Sequence, residues 1–400
     1  MRLLLLLVVM SVISACEAKS GMVATGGGSA GAMAGGSSGG TATAGGSGTA
    51  GGTAAAGGAA AGGSATAGGA AAAGGSPTAG GAAMGGGAAT GGGAATGGGA
   101  AGGPVDAGVS IVRFVAIGDV GKGNAGQAVV GQALGQVCAQ RGCDFVVLLG
   151  DNFYPTGVSS VTDAQWQTAF VQPYTTVNAP FYAVLGNHDY GGNGAGYELN
   201  KADIQVAYSQ TNPKWRMPAV HYRFTQGDAE FFALDTNRSF WGPNGSGDTQ
   251  TRADLSSWLG SSTATWKIAL GHHPYKSNGP HGNAGNYDCR DVPGLGCVAA
   301  PLFTDGRHVK SFMEAVVCGR ADVYLSGHDH SLQWLTPTCN GTQLIVSGNG
   351  ASATTVDAKN PNYFQTTELG FIYIELNGRT FTGTFFGQTG NVLFTRSFTK

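Results

Sequence analysis

Five short apolar runs in this chain end in the same way, and that recurrence constrains the fold more than any other feature. Val115-Ala116-Ile117 runs into Gly118-Asp119, and Val147-Leu148-Leu149 into Gly150-Asp151. Ala183-Val184-Leu185 runs into Gly186-Asn187-His188, Ile268-Ala269-Leu270 into Gly271-His272, and Val323-Tyr324-Leu325-Ser326 into Gly327-His328-Asp329-His330. A short apolar run bounded by a turn signal reads as a buried strand. Glycine lets the backbone turn at its end, and the strand fixes the direction of the carboxylate or imidazole that follows. Five such ends are expected to converge on one site that holds two metal ions.

Between these runs the spacing predicts helices over 126–140, with Val129, Val130, Leu134 and Val137 on one side, and over 163–177. Asp163 is the expected N-cap of the second, with Trp166, Phe170 and Val171 facing inward. Further helices are expected at 201–209, 251–259 and 307–318. Strands are expected at 112–120, 143–150, 179–186, 266–270 and 322–326, with 220–224 and 230–235 as an antiparallel pair. The chain then finishes in strands at 344–347, 370–376, 380–387 and 392–398, with Asn377-Gly378 as a hairpin turn. An alternating first half and a strand-rich end indicate an α/β (α+β) fold of two mixed β-sheets packed face to face, with helices outside. Ligands beyond the strand ends are where such folds place their sites.

Length alone allows two domains, but composition argues for one. Of 72 glycines in 400 residues, the excess lies between residues 21 and 103, in loose Gly/Ala/Ser/Thr repeats. Such a segment lacks the apolar side chains to offset the entropy of ordering it. Residues 17–108 are therefore expected to be a flexible stalk, and residues 109–400 one folded domain. Residues 1–16 begin Met1-Arg2, continue in an apolar core of signal-peptide length, and end in Ile13-Ser14-Ala15-Cys16, which resembles a bacterial lipobox. That resemblance implies acylation of Cys16, export, and a lipid anchor in the cell envelope, with Glu17 favouring the outer membrane. A net charge of -2 gives no electrostatic case for nucleic acid as a partner.

With Cys16 acylated, six cysteines remain, and an even number in an exported chain suggests disulfides. Nearest-neighbour pairing (138–143, 289–297, 318–339) is the expectation. None has the C-x-x-C spacing of a zinc or redox motif.

The donors at the strand ends are oxygens and imidazoles from Asp119, Asp151, Asn187, His272, His328 and His330. That set suits iron, zinc or manganese rather than an iron–sulfur or copper–thiolate centre. A carboxylate can bridge two cations, and Asp151, central in the order, is the candidate. Two cations roughly 3.5–4 Å apart lower the pKa of a bound water and clamp a phosphate for in-line attack.

Taken together, GDVG (118–121), GDNFY (150–154), GNHD (186–189), GHHP (271–274) and GHDH (327–330) resemble the five ordered blocks of the metallophosphoesterase superfamily. The resemblance is greatest to the purple acid phosphatases of the small tartrate-resistant type, and it covers the chain from about Val112 onward. Many metallophosphoesterases carry D-x-H in the first block; here Gly121 takes that histidine's place, and Tyr154 appears in the second block, as in the purple enzymes. By this resemblance, Asp119, Asp151, Tyr154 and His330 would hold Fe(III). Asp151, Asn187, His272 and His328 would hold a divalent Fe, Zn or Mn. His272 directly follows its glycine and so matches the family's ligand, while His273 faces away or contacts substrate. His188 and His281 would bind phosphate or protonate the leaving group, and Asp189 and Asp329 would support neighbouring histidines.

The implied activity is a surface-anchored acid phosphatase that hydrolyses phosphate monoesters by attack of a metal-bound hydroxide. The alternatives are a phosphodiesterase or nucleotidase of the same superfamily, or a non-catalytic surface display module. Gly121 and Tyr154 argue against the first, and the complete set of ligand blocks against the second.

Overall fold

The computed structural model describes residues 111–241, 248–287, 290–292, 296–298 and 306–400. Cys16, the expected signal and stalk, and Cys289 with its expected pairing to Cys297 lie outside them. Disulfides join Cys138 to Cys143 and Cys318 to Cys339, as nearest-neighbour pairing anticipates.

Two seven-stranded mixed sheets form the domain. The first contains β1 (Val112–Ile117), β2 (Phe145–Leu149), β3 (Phe181–Val184), β4 (Trp215–Arg216), β14 (Gly370–Asn377), β15 (Thr380–Gly387) and β16 (Val392–Thr399), in the order β16-β15-β14-β1-β2-β3-β4. β1 to β4 are parallel, and β14 to β16 extend the sheet antiparallel from β1. The second sheet contains β5 (Tyr222–Gln226), β6 (Ala229–Ala233), β7 (Trp266–Leu270), β10 (Val323–Ser326), β11 (Leu332–Leu335), β12 (Gln343–Ser347) and β13 (Asn362–Thr366). Its order is β13-β11-β12-β10-β7-β6-β5, with β6, β7, β10 and β12 parallel. A small hairpin, β8 (Arg290–Val292) with β9 (Gly296–Val298), forms a separate two-stranded sheet.

Alternation along the strands of the second sheet divides its side chains between two cores. Phe231, Ile268, Val323, Leu325 and Ile345 face the first sheet. Phe232, Ala269, Tyr324, Leu344 and Val346 face the helices Asp248–Ser261 and Gly306–Val316. Aromatic rings fill the space between the sheets. Phe231 meets Phe114 edge-on at 5.2 Å and Phe145 at 5.1 Å, and Trp334 meets Phe381 at 5.8 Å. Such pairs add about 0.5–1.5 kcal/mol each beyond the area they bury.

On the outer face of the first sheet lies the helix Ala125–Arg141, capped by Asn124, whose side chain accepts from the Gln127 amide at 2.9 Å. Val130, Leu134 and Val137 are buried as expected, but Val129 is 42% exposed: 3.6-residue spacing carries it past the edge of the apolar face. The helix expected over 163–177 reduces to a π-helical turn, Trp166–Val171. Asp163 does serve its start, accepting from the Gln165 amide and from Ser159, and Pro173 follows the turn too closely for a helix to continue.

Candidate metal centre

All five Gly-marked strand ends lie at the carboxyl ends of parallel strands, β1, β2 and β3 in one sheet and β7 and β10 in the other. The sheets meet there. Gly118 N–H donates to the Ser347 carbonyl at 2.7 Å, and the His272 ring meets the Leu149 carbonyl at 2.9 Å.

The glycines serve mainly to clear space. Of the five, only Gly150 has positive φ (87°). A Cβ on Gly186 would stand 2.2 Å from Oδ1 of Asp151, and one on Gly327 2.7 Å from Oδ2 of Asp119. The left-handed turns fall instead on Asp119 (φ 56°), Asp151 (φ 53°) and His328 (φ 70°). Non-glycine residues held there cost of order 1–3 kcal/mol each and concentrate at functional sites.

The seven expected ligand residues come together. The Tyr154 hydroxyl lies 3.1 Å from Oδ1 of Asp119, 2.9 Å from Oδ2 of Asp151 and 3.0 Å from Nε2 of His330. The other oxygen of Asp151 accepts from the His188 amide at 2.9 Å and lies 3.5 Å from Nε2 of His272. Asp151 thus faces Tyr154 with one oxygen and His272 with the other, as a bridging carboxylate requires. Nε2 of His272 is also 2.9 Å from Oδ1 of Asn187 and 3.1 Å from Nδ1 of His328.

These donors fit a cation. The Leu149 carbonyl can only accept, so Nδ1 of His272 carries that proton and Nε2 is the ring nitrogen left to offer its lone pair to a cation. The Asn187 amide nitrogen donates to the Gly194 carbonyl at 2.9 Å, which turns its carbonyl oxygen toward the same point. Nε2 of His272, Oδ1 of Asn187 and Oδ1 of Asp151 therefore converge. Nε2 of His328 is buried without a hydrogen-bond partner. Among the described residues, two groups have ligand atoms within 4.8 Å of one another: Asp119, Asp151 and His272, and His272, His273 and His328.

Electrostatics agree. Burial pushes the Asp119 carboxyl up to about 7, with the charge of Asp151 adding and that of His272 opposing. Burial works the same way on Asp151, but His272 and His188 outweigh it and hold that carboxylate below its usual value. Burial, reinforced by the two carboxylates, pushes the Tyr154 phenol well above its ordinary range. Burial and the Lys122 ammonium, which sits 5.0 Å from the Tyr154 ring centre, lower His330 to about 4. His330 is therefore a neutral imidazole at ordinary pH, the form in which it can bind a metal.

The remaining expected residues separate. The His188 ring packs 4.4 Å from that of Tyr154, with Nδ1 2.7 Å from the Pro155 carbonyl. The His281 ring lies against that of His328, centroids 4.0 Å apart. His273 is buried beside His272 and His328, with Nδ1 2.9 Å from the Thr236 hydroxyl and its ring on Phe240.

Asp189 corrects its expected role. Its carboxylate supports backbone and amides rather than a histidine, accepting from the amides of Asn152, Phe153 and Gly186 and from the side chain of Gln205, at 2.8–3.1 Å. Asp329 accepts from the His281 amide at 3.0 Å, a backbone contact also. Sequence reasoning missed Ser352, whose hydroxyl lies 3.0 Å from Nδ1 of His330 and orients that ring. No motif marks it.

Residues 112–332 match the calcineurin-like phosphoesterase family. The match covers more than half of the chain, and the chain belongs to that family. Within it, the similarity is to purple acid phosphatases. Purple acid phosphatase 7 of Arabidopsis thaliana is 30% identical over 260 residues, which cover 60% of this chain and 70% of that protein. Purple acid phosphatase 3 of the same plant is 28% identical over 280 residues, covering 66% and 69%. Tartrate-resistant acid phosphatase type 5 of Homo sapiens is 27% identical over 326 residues, covering 72% and 91%. Among solved structures, GAP50, the anchor in the inner membrane complex of Plasmodium, superposes with a TM-score of 0.56 at 22% identity, covering 72% of this chain and 89% of that one, a likeness of fold.

Proposed function

We propose that this chain is a binuclear-metal acid phosphatase acting on phosphate monoesters. One observation carries the reading: the Tyr154 hydroxyl sits among Asp119, Asp151 and His330, all within 3.1 Å. A phenolate is a hard, anionic donor that suits Fe(III), and these four residues would hold it. Asp151, Asn187, His272 and His328 would hold a divalent Fe, Zn or Mn. Bound there, the two cations would lower the pKa of water and neutralise charge on a phosphate.

The chain's own residues do the rest. Asp119 and Asp151 hold charge opposite the cations, and the strand ends keep the donors rigid. His188, with its Nδ1–H committed to the Pro155 carbonyl, would bind a phosphate oxygen through Nε2–H in its doubly protonated form. His281 supplies the proton that the departing ester oxygen needs when its bond to phosphorus breaks. General acid help of this kind is worth about 10²–10⁴-fold.

The visible spectrum and metal content of the protein, beside those of Tyr154→Phe, test the reading. A tyrosinate-to-iron band lost in the variant supports it. Two zinc or manganese ions and no band in either protein would refute Fe(III) at Tyr154.

The lipobox-like Ile13-Ser14-Ala15-Cys16 supports a further part of the proposal, that Cys16 is acylated and tethers the enzyme to the cell envelope. Labelled palmitate should enter the protein and fail to enter Cys16→Ala; equal labelling of both would remove the anchor.

A further inference from the structure

His281 stands on a loop of irregular backbone after β7, so its ring is only as well placed as that loop. Asp329 supports the loop from below. Oδ1 accepts from the His281 amide at 3.0 Å, and a Cβ on Gly279 would stand 2.3 Å from the carboxylate carbon.

A lattice of uncharged amides grips it from the side. Nδ2 of Asn278 donates to the Asn360 carbonyl at 2.9 Å and to Oε1 of Gln365 at 2.6 Å. In return, Oδ1 of Asn278 accepts from the backbone and side-chain nitrogens of Asn360 at 2.6 and 3.1 Å. The Asn360 side chain donates onward to the Ser277 carbonyl at 2.8 Å. The Asn278 amide donates to Oε1 of Gln333 at 2.8 Å, whose Nε2 donates to the hydroxyls of Ser277 and Ser331. Ser277, Asn278, Asn360 and Gln333 are all buried.

Partly satisfied, such a lattice would be costly; satisfied, it fixes one arrangement. It joins the His281 loop to a segment 82 residues away and to β11, which begins just after His330. None of these amides or hydroxyls titrates near neutral pH, so the grip does not depend on pH there.

We propose that Asn278 and Asn360 are positioning residues for His281. Their mutual pairing keeps its imidazole against His328, at the place from which a proton reaches the departing oxygen. The inference rests on the leaving-group role given to His281 above.

The test compares two esters hydrolysed by the full-length, metal-loaded protein. p-Nitrophenyl phosphate has a weakly basic leaving group that needs little protonation; glycerol 2-phosphate has a strongly basic one. Asn360→Ala and Asn278→Ala should lower kcat on glycerol 2-phosphate roughly 10- to 100-fold, the scale of a misplaced catalytic group. On p-nitrophenyl phosphate the loss should stay under about 3-fold, with metal content unchanged. Adding Asn360→Ala to His281→Ala should cost nothing further, because both remove the same contribution.

Equal losses on both esters, while His281→Ala remains selective for the alkyl ester, would overturn the positioning role and leave His281 as the acid. A His281→Ala variant that loses equally on both esters would overturn the role of His281 and the inference with it. Should alanine at 278 or 360 prevent folding, Gln365→Ala trims the lattice from its half-buried edge. A selective loss of about 3-fold is then expected, and no selectivity would overturn the proposal.

Discussion

The Tyr154 hydroxyl lies 3.0 Å from Nε2 of His330, although 176 residues separate them. Tyr154 follows β2 in one sheet and His330 follows β10 in the other, so this contact spans the line where the two sheets meet. The Asp119 carboxylate lies beside both, 3.1 Å from the hydroxyl and 3.4 Å from the imidazole. Two rigid sheets thus set the first candidate metal position, and neither loop sets it alone.

Gly121 is what lets Tyr154 reach this place. Its amide donates to the Asp151 carbonyl, and its carbonyl accepts from the Tyr154 amide. A Cβ at 121 would stand 2.2 Å from the carbonyl carbon of Asn152 and 2.3 Å from the Phe153 nitrogen. The obstacle is backbone, so no rotamer relieves it. Gly121→Ala should displace Asp151 and Tyr154 together and cost about 1–3 kcal/mol of stability. A shift near 1 Å at these groups should lower kcat about 10²-fold. Thermal unfolding with metal analysis checks this; full metal content and unchanged kcat would show that the loop tolerates the methyl.

Asp189 holds the other side of the same turn. Its carboxylate gathers the amides of Asn152, Phe153 and Gly186, together with Gln205, into one buried knot. Burial pushes its carboxyl up to about 7, with the charge of Asp151 adding and those amides opposing. Asp189→Ala would strand several buried donors, each costing about 1–3 kcal/mol when left unpaired. Stability in urea should fall by roughly 3 kcal/mol or more, and the metals should exchange faster, because Asp151 and Asn187 flank the freed backbone. A variant with wild-type stability would mean that water replaces the carboxylate.

The strand ends were legible because glycine punctuates them and each exposes one chemical group. The paired sheets were legible from the change between alternating and strand-rich halves. Other elements carried no such mark. β11 is Leu-Gln-Trp-Leu, buried at all four positions, so it shows no alternation. β4 has two residues, below the length at which any period can be read. Asp189 was misassigned because sequence shows its neighbours in the chain, His188 and Tyr190, and not the amides folded around it. Asn278 and Asn360 look like ordinary loop residues; only the topology that brings β11 beside β13 makes them partners.

Asp151 is the residue on which the two-metal reading depends most directly. Oδ2 faces Tyr154 and Oδ1 faces the His188 amide and His272. His272 and His188 favour its charged form over the cost of burial. Asp151→Asn keeps the volume but removes that charge and replaces one oxygen with an amide that cannot bind a cation. If Asp151 bridges, both metals should leave together, and kcat should fall at least about 10³-fold, since neither cation then supports the attack. If Asp151 serves one metal alone, the variant should retain about one metal per chain. Metal analysis on the purified variant, with circular dichroism to establish that it is folded, decides between them. A folded Asp151→Asn protein with both metals in place would remove Asp151 from the bridge.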